Sequence, residues 1–167
     1  MDKLKRRGIL FVLSSPSGAG KTSIARYILD KDKNIKLSVS LTTRKKRKNE
    51  KAGIDYDFIS KDVFEKKIKN NFFLEWATVF GNYYGTSREK VQKTLKEGND
   101  VLFDIDWQGT QQLSDNKDFD LVTVFILPPS KTVLEKRLNN RAQDSKIEVI
   151  KRMSQASDEI SHYMEYN

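Results

Sequence analysis

An α/β fold, with a parallel sheet flanked by helices and a small α+β lobe inserted into it, is predicted by three observations. First, Ile9-Leu10-Phe11-Val12-Leu13 runs straight into the small-residue turn Ser14-Ser15-Pro16-Ser17-Gly18-Ala19-Gly20, and Lys21-Thr22 then opens a helical pattern. Second, two further buried-type strands, 101–106 and 121–127, alternate with helical stretches, the signature of a parallel sheet covered on both faces. Third, residues 54–86 switch period every few residues, strand to helix to hairpin, too briefly for a second full domain.

Residues 9–30 read as strand, phosphate-binding loop and helix. Ile24, Ala25, Ile28 and Leu29 share one helical face. Backbone N–H groups of such a turn and of the following helix start converge on an anion, and Lys21 adds a point charge. A strict P-loop has Gly where Ser15 stands, so the spacing is met and one position departs. Lys36 to Thr43 alternates apolar and hydroxyl residues, a short half-buried strand. It feeds a basic run, Arg44 to Lys51, that by itself reads as a solvated face or a nucleic-acid patch.

Ile54 to Ile59 reads as a strand, and Ser60 caps a short helix carrying Phe64 and Ile68. Phe72 to Phe80 is a second strand with Glu75 inside it, Gly81-Asn82 is a turn signal, and Tyr83 to Thr86 returns. Ser87 caps a helix with Val91 and Leu95 one turn apart, stopped by Gly98. The strand Val101 to Asp106 ends in two aspartates, and Leu121 to Leu127 stops at Pro128-Pro129. Ser130 opens a helix that sets Arg137 and Arg141 on one face, and Ser145 to Glu148 has capping-box spacing before a helix carrying Arg152.

Composition narrows the function. The 167 residues suit one domain, and no stretch approaches the ~18 apolar residues of a membrane span. The basic start is followed by too short an apolar run for a secretory signal. With no cysteine, disulfides and thiolate metal sites are excluded; the one histidine, His162, argues against a His-based metal site or a Ser-His-Asp triad and reads as a surface or packing residue. A net charge of +8 points to some anionic partner without choosing among nucleic acid, an anionic surface and a polyanionic small substrate.

The residues that choose are 15–22 (SPSGAGKT), 38–44 (SVSLTTR), 73–77 (FLEWA), 80–86 (FGNYYGT), 104–109 (DIDWQG), 126–130 (ILPPS), 141–145 (RAQDS) and 151–153 (KRM). In this order and spacing the chain resembles the guanylate kinases, in their bacterial form, from about residue 8 to its end. The resemblance implies transfer of phosphate from ATP to GMP, in purine nucleotide metabolism. It implies a core of about 8–43, 87–129 and 156–167, a GMP-binding lobe at about 44–86 and a helical lid at about 130–155. Family members continue past the equivalent of Tyr166 with another strand and helix, expected beside 121–127, whereas this sequence stops at Asn167.

Phosphoryl transfer between two nucleotides requires two facing sites with cations spread over the moving group. By resemblance, ATP lies on Ser15, Pro16, Ser17, Gly18, Ala19, Gly20, Lys21 and Thr22, with Lys21 on the β/γ oxygens. Mg2+ is expected at the Thr22 hydroxyl and at Asp104, through water. The GMP phosphate maps onto Arg44, Arg47, Tyr56 and Tyr84, because arginine forks match phosphate geometry. The guanine maps onto Glu75, with Ser40, Thr86 and Asp106; a carboxylate accepts from guanine N1–H and the 2-amino group together. Lys21, Arg44 and the lid residues Arg137, Arg141 and Arg152 are the expected catalytic cations. The family's proline between the two loop arginines is replaced here by Lys45-Lys46.

The expected partners are therefore ATP and GMP, with no nucleic acid and no membrane, in the cytoplasm, the oligomeric state being left open. Competing readings are a non-catalytic guanylate-kinase-like interaction module, against which Lys21 and Thr22 stand, a basic nucleic-acid-binding protein, and a kinase of another nucleotide.

Overall fold

A computed structural model describes residues 6–140 and 146–167. Its main sheet contains β1 (Leu10–Ser14), β2 (Ile35–Leu37), β7 (Asp100–Asp104) and β8 (Leu121–Phe125), all parallel, in the order β2-β7-β1-β8. A second sheet is ordered β4-β3-β6-β5, from β3 (Leu41–Thr42), β4 (Asp57–Phe58), β5 (Phe73–Val79) and β6 (Asn82–Ser87). The helices are α1 (Lys21–Lys31), α2 (Lys61–Lys69), α3 (Arg88–Lys96), α4 (Trp107–Asp115), α5 (Lys131–Asn139) and α6 (Lys146–Ser161).

The main sheet is covered on both faces. On one, Val91 and Leu95 of α3 and Leu113 of α4 pack with Leu10, Val12, Val101 and Phe103. On the other, Ala25 of α1 meets Leu13 and Leu102, with Ile28 and Leu29 at the margin. The second sheet has its own nucleus, in which Phe64 of α2 stacks on Phe73 and Tyr83 with ring centroids 4.3 and 5.2 Å apart. Ser60, Ser87 and Ser130 each accept a hydrogen bond from the backbone N–H three residues on, so the three caps read in the sequence start α2, α3 and α5. His162 stacks on Trp107 at 3.8 Å, the packing role expected of it.

Four elements differ from expectation. The strand expected at 36–43 is two: β2 pairs with β7, Ser38 still donates to the Leu102 carbonyl, and the chain then crosses to pair Leu41 and Thr42 with β6. Alternation reports which face a side chain takes, not which strand lies beside it. The strand at 54–59 shrinks to Asp57–Phe58, because Lys51 to Asp55 fold into a turn closed on the Lys51 carbonyl with Gly53 at φ +77°. The hairpin turns at Phe80-Gly81, both with positive φ, one residue before the expected pair. Finally, α4 stands where no helix was expected, started by Asp106 accepting from the Gly109 N–H at 3.1 Å.

Helix α6 runs unbroken through residue 155, and α5 packs on it through Leu134, Leu138, Val149 and Ala156. Arg141 and the capping-box residue Ser145 lie outside the described residues. At the sheet edge, the Thr123 N–H of β8 donates to Asn167 Oδ1 at 3.0 Å.

Candidate active site

A cleft of about 600 Å³ separates the carboxyl ends of the main strands from the second sheet. Ligands of open parallel sheets bind at this end of the strands. One wall is the turn after β1. Gly18 and Gly20 adopt φ of +94° and +109°, which a side chain resists, and a Cβ on Gly18 would lie 2.9 Å from Leu138 of α5. The register sets Leu13 beside Asp104, so the ends of β1 and β7 deliver loop and carboxylate to the same point. Lys21 Nζ lies 2.9 Å from Asp104 Oδ1 and donates to the Ile105 carbonyl at 2.8 Å. The Thr22 hydroxyl donates to Asp104 Oδ2 at 3.1 Å.

The opposite wall belongs to the second sheet and the basic loop. Arg44 donates through Nη1 and Nη2 to Glu50 at 3.1 and 2.7 Å, and through Nε to the Tyr84 hydroxyl at 3.1 Å. Glu50 also accepts the Arg47 backbone N–H at 2.8 Å, so it closes the loop on itself. Burial opposes the charge on both partners, but the bonds outweigh it: Arg44 ends above the ordinary arginine value and Glu50 below the ordinary glutamate value. Tyr56 packs edge-on against Tyr84, and burial, then the charge of Asp104, holds its phenol well above the ordinary value. It therefore faces the cleft as a hydrogen-bond donor.

Between the walls stands Glu75. The pairing of β5 with β6 shifts between Phe73 and Glu75, a bulge that sends Leu74 into the main core and aims Glu75 into the cleft. Glu75 is 3% exposed, and its Oε1 is buried with no hydrogen-bond partner. Burial pushes its carboxyl up to about 7, with the Asp106 charge adding to the rise and the Thr86 hydroxyl opposing it. Gly109 of α4 makes this position possible, since a Cβ there would sit 2.7 Å from Glu75 Oε2. Gln112 of the same helix grips the Trp76 backbone from both sides, donating to its carbonyl at 2.7 Å and accepting its N–H at 3.1 Å. A buried acceptor without a donor is costly in a finished fold, and Glu75 carries one at the cleft wall.

The cleft gathers most of the residues singled out in the sequence. Ser15, Pro16, Ser17, Gly18, Gly20, Lys21 and Thr22 line one side, with Asp104 and Asp106 at the floor. Ser40, Arg44, Arg47, Tyr56, Glu75 and Tyr84 line the other. Thr86 stands behind the surface, 3.2 Å from the Ser40 hydroxyl. Arg152 reaches in from α6 and donates to the Ser17 hydroxyl at 2.7 Å. Arg137 lies under the loop instead, donating to the Ala19 carbonyl at 2.8 Å. Sequence reasoning passed over Glu50, Gly109, Gln112 and Glu159, the last of which also lines the cleft. Glu50 had one legible sign: it is the single acid in the run 44–51.

A parallel sheet ending in a phosphate loop, facing a second anion site across one cleft, defines a P-loop phosphotransferase acting between two nucleotides. A family model for guanylate kinase matches residues 7–167. The guanylate kinase of Bradyrhizobium diazoefficiens is 55% identical over 99% of this chain and 76% of its own length. That of Paramagnetospirillum magneticum is 54% identical over the whole chain and 78% of its own. The crystal structure of guanylate kinase from Anaplasma phagocytophilum superposes with a TM-score of 0.80 at 36% identity, covering 98% of this chain and 76% of that one. The chain belongs to the guanylate kinase family, and its activity is the ATP-dependent phosphorylation of GMP. The non-catalytic module is not favoured. No helix among the described residues is long and apolar enough to cross a membrane.

Proposed function

We propose that this ATP:GMP phosphotransferase holds the donor on residues 15–22 and the acceptor on the second sheet, and transfers the γ-phosphoryl group directly between them. The observation that carries the reading is the partnerless oxygen of Glu75, opposite a phosphate loop in the same cleft. Guanine offers two adjacent N–H donors to that carboxylate, and Ser40, Thr86 and Asp106 complete the base site. Arg44, Arg47, Tyr56 and Tyr84 take the acceptor phosphate. Arg44 exchanges its bonds to Glu50 for bonds to that phosphate, starting from a guanidinium already fixed in place.

Lys21 moves from Asp104 to the donor's β/γ oxygens, and Arg152 and Arg137, with Arg141 by resemblance, neutralise charge that develops as the bond to the leaving ADP breaks. We assign about 8–43, 87–129 and 156–167 to the core, 44–86 to the GMP lobe and 130–155 to the lid. Mg2+ fits the Thr22 hydroxyl beside Asp104, a pair of hard oxygens. No group of three or more His, Cys, Asp or Glu gathers among the described residues. When bound, the Mg2+ ion would offset negative charge on the donor phosphates as a Lewis acid. We assign the reaction to purine nucleotide metabolism in the cytoplasm.

Two results are expected. Arg44→Ala and Arg47→Ala each raise the KM for GMP far more than that for ATP, by about ten- to hundred-fold, because a charge-assisted hydrogen bond contributes roughly 1.5–3 kcal/mol. Lys45→Ala and Lys48→Ala change it much less. Steady-state kinetics on the four variants decides; equal effects reduce the loop to a diffuse electrostatic patch.

The second result concerns pH. A carboxyl raised to about 7 favours its neutral form in the empty site. Guanine donors favour the anion, so GMP binding pulls this value down and releases a proton near neutrality, and affinity weakens as pH falls below about 7. The same shift stabilises the empty fold at acid pH, a contribution lost as pH rises through about 7. Calorimetry of GMP binding in buffers of different ionisation enthalpy reads the proton directly. Glu75→Gln removes the release and retains only the part due to the GMP phosphate; equal release from both proteins refutes the assignment.

A further inference from the structure

Helix α6 holds Ser17, in the phosphate loop, by both of its ends. Arg152 donates to the Ser17 hydroxyl at 2.7 Å, and the Ser17 N–H donates to Glu159 Oε2 at 3.2 Å. Residues 152 and 159 are two turns apart on one face of the helix, so both contacts fall on the same stretch of loop. Glu159 is half-buried in the cleft and faces Lys21 from α1, Asp106 at the start of α4, and Arg152 on its own helix. A turn of converging N–H groups with a lysine is built for an anion. Here one of its donors already has one, supplied by the chain.

We propose that Glu159 is an internal anion of the phosphate loop, occupying the loop in the nucleotide-free protein and giving way to the terminal phosphate of the donor. The inference rests on the reading of 15–22 as the donor site. Glu159 is then a positioning residue. It ties α6 to the loop while the site is empty, and its negative charge opposes the triphosphate until the side chain turns out or takes up a proton. Burial, only partly offset by the Ser17 N–H and by Lys21, raises its carboxyl above the ordinary glutamate value.

The test uses Glu159→Gln, which keeps the shape and removes the charge, and Glu159→Ala. Sodium tripolyphosphate and a non-hydrolysable ATP analogue are titrated calorimetrically into each protein over a pH series, with KM for ATP and GMP measured in parallel. Removing the internal anion is expected to tighten both ligands about tenfold, within the usual range of coupling between competing charges. The KM for ATP falls, that for GMP is unchanged, and the wild-type gain in tripolyphosphate affinity at low pH flattens in Glu159→Gln. A merely structural glutamate lowers the melting temperature and leaves these ratios alone. Unchanged or weaker tripolyphosphate binding by folded Glu159→Gln overturns the proposal, while wild-type binding that Lys21→Ala weakens leaves the donor-site reading standing. Absence of tripolyphosphate binding by the wild-type protein overturns both.

Discussion

Lys21→Ala is expected to abolish phosphoryl transfer while the fold and GMP binding remain nearly intact. The ammonium bridges Asp104 and the Ile105 carbonyl, at 2.9 and 2.8 Å, beside a loop rich in backbone donors. Its removal takes away one preorganised charge from the place where negative charge grows, and such a loss costs on the order of 10²–10³ in rate or more. The damage stays local. Asp104 keeps the Thr22 hydroxyl at 3.1 Å, and the β1–β7 pairing that places it is made by backbone. Circular dichroism, GMP titration and turnover on one preparation separate these effects. Near-normal turnover removes the phosphate-loop assignment.

Glu75→Ala is expected to erase base selectivity. The wild-type order is GMP over inosine monophosphate over adenosine monophosphate. Inosine lacks the 2-amino group and forfeits one of the two bonds to the carboxylate. Adenosine has no N1–H and presents an amino donor where guanine has its O6 acceptor. A site that buries polar groups to pair with its substrate rejects the wrong partner by up to about 10⁴–10⁵, since its own groups are otherwise left unpaired. Glu75 meets that condition, with one oxygen buried and unbonded and Gly109 leaving the room that a side chain there would take from it. Truncation lowers kcat/KM for GMP most and brings the GMP-to-inosine ratio towards one. If all three nucleotides slow by the same factor, Glu75 is structural and the base is read elsewhere.

What was legible in the sequence was what local chemistry dictates. Glycines forced into positive φ, a lysine and threonine at fixed spacing, and serine caps at 60, 87 and 130 each have one physical reading, and the elements they announce are present. Partner choice was not legible. Residues 36–43 alternate evenly although the backbone changes sheets between Ser38 and Leu41. Helix α4 was hidden because its buried side is built from Gly109, Thr110 and Leu113, too small and polar a set to make an apolar stripe. The cleft residues found by resemblance include its cations, its tyrosines and Glu75. Those passed over include Glu50, which accepts from Arg44, and Glu159, which accepts the Ser17 N–H; in a chain with 23 acids they look like surface until the contacts are known.

The account stands most directly on one measurement: ADP release by the purified protein with ATP, Mg2+ and each nucleoside monophosphate in turn. Rapid release with GMP, weak release with inosine monophosphate and none above background with AMP, CMP or UMP is the predicted result. Comparable release with AMP and GMP, or release that does not depend on any monophosphate, contradicts it.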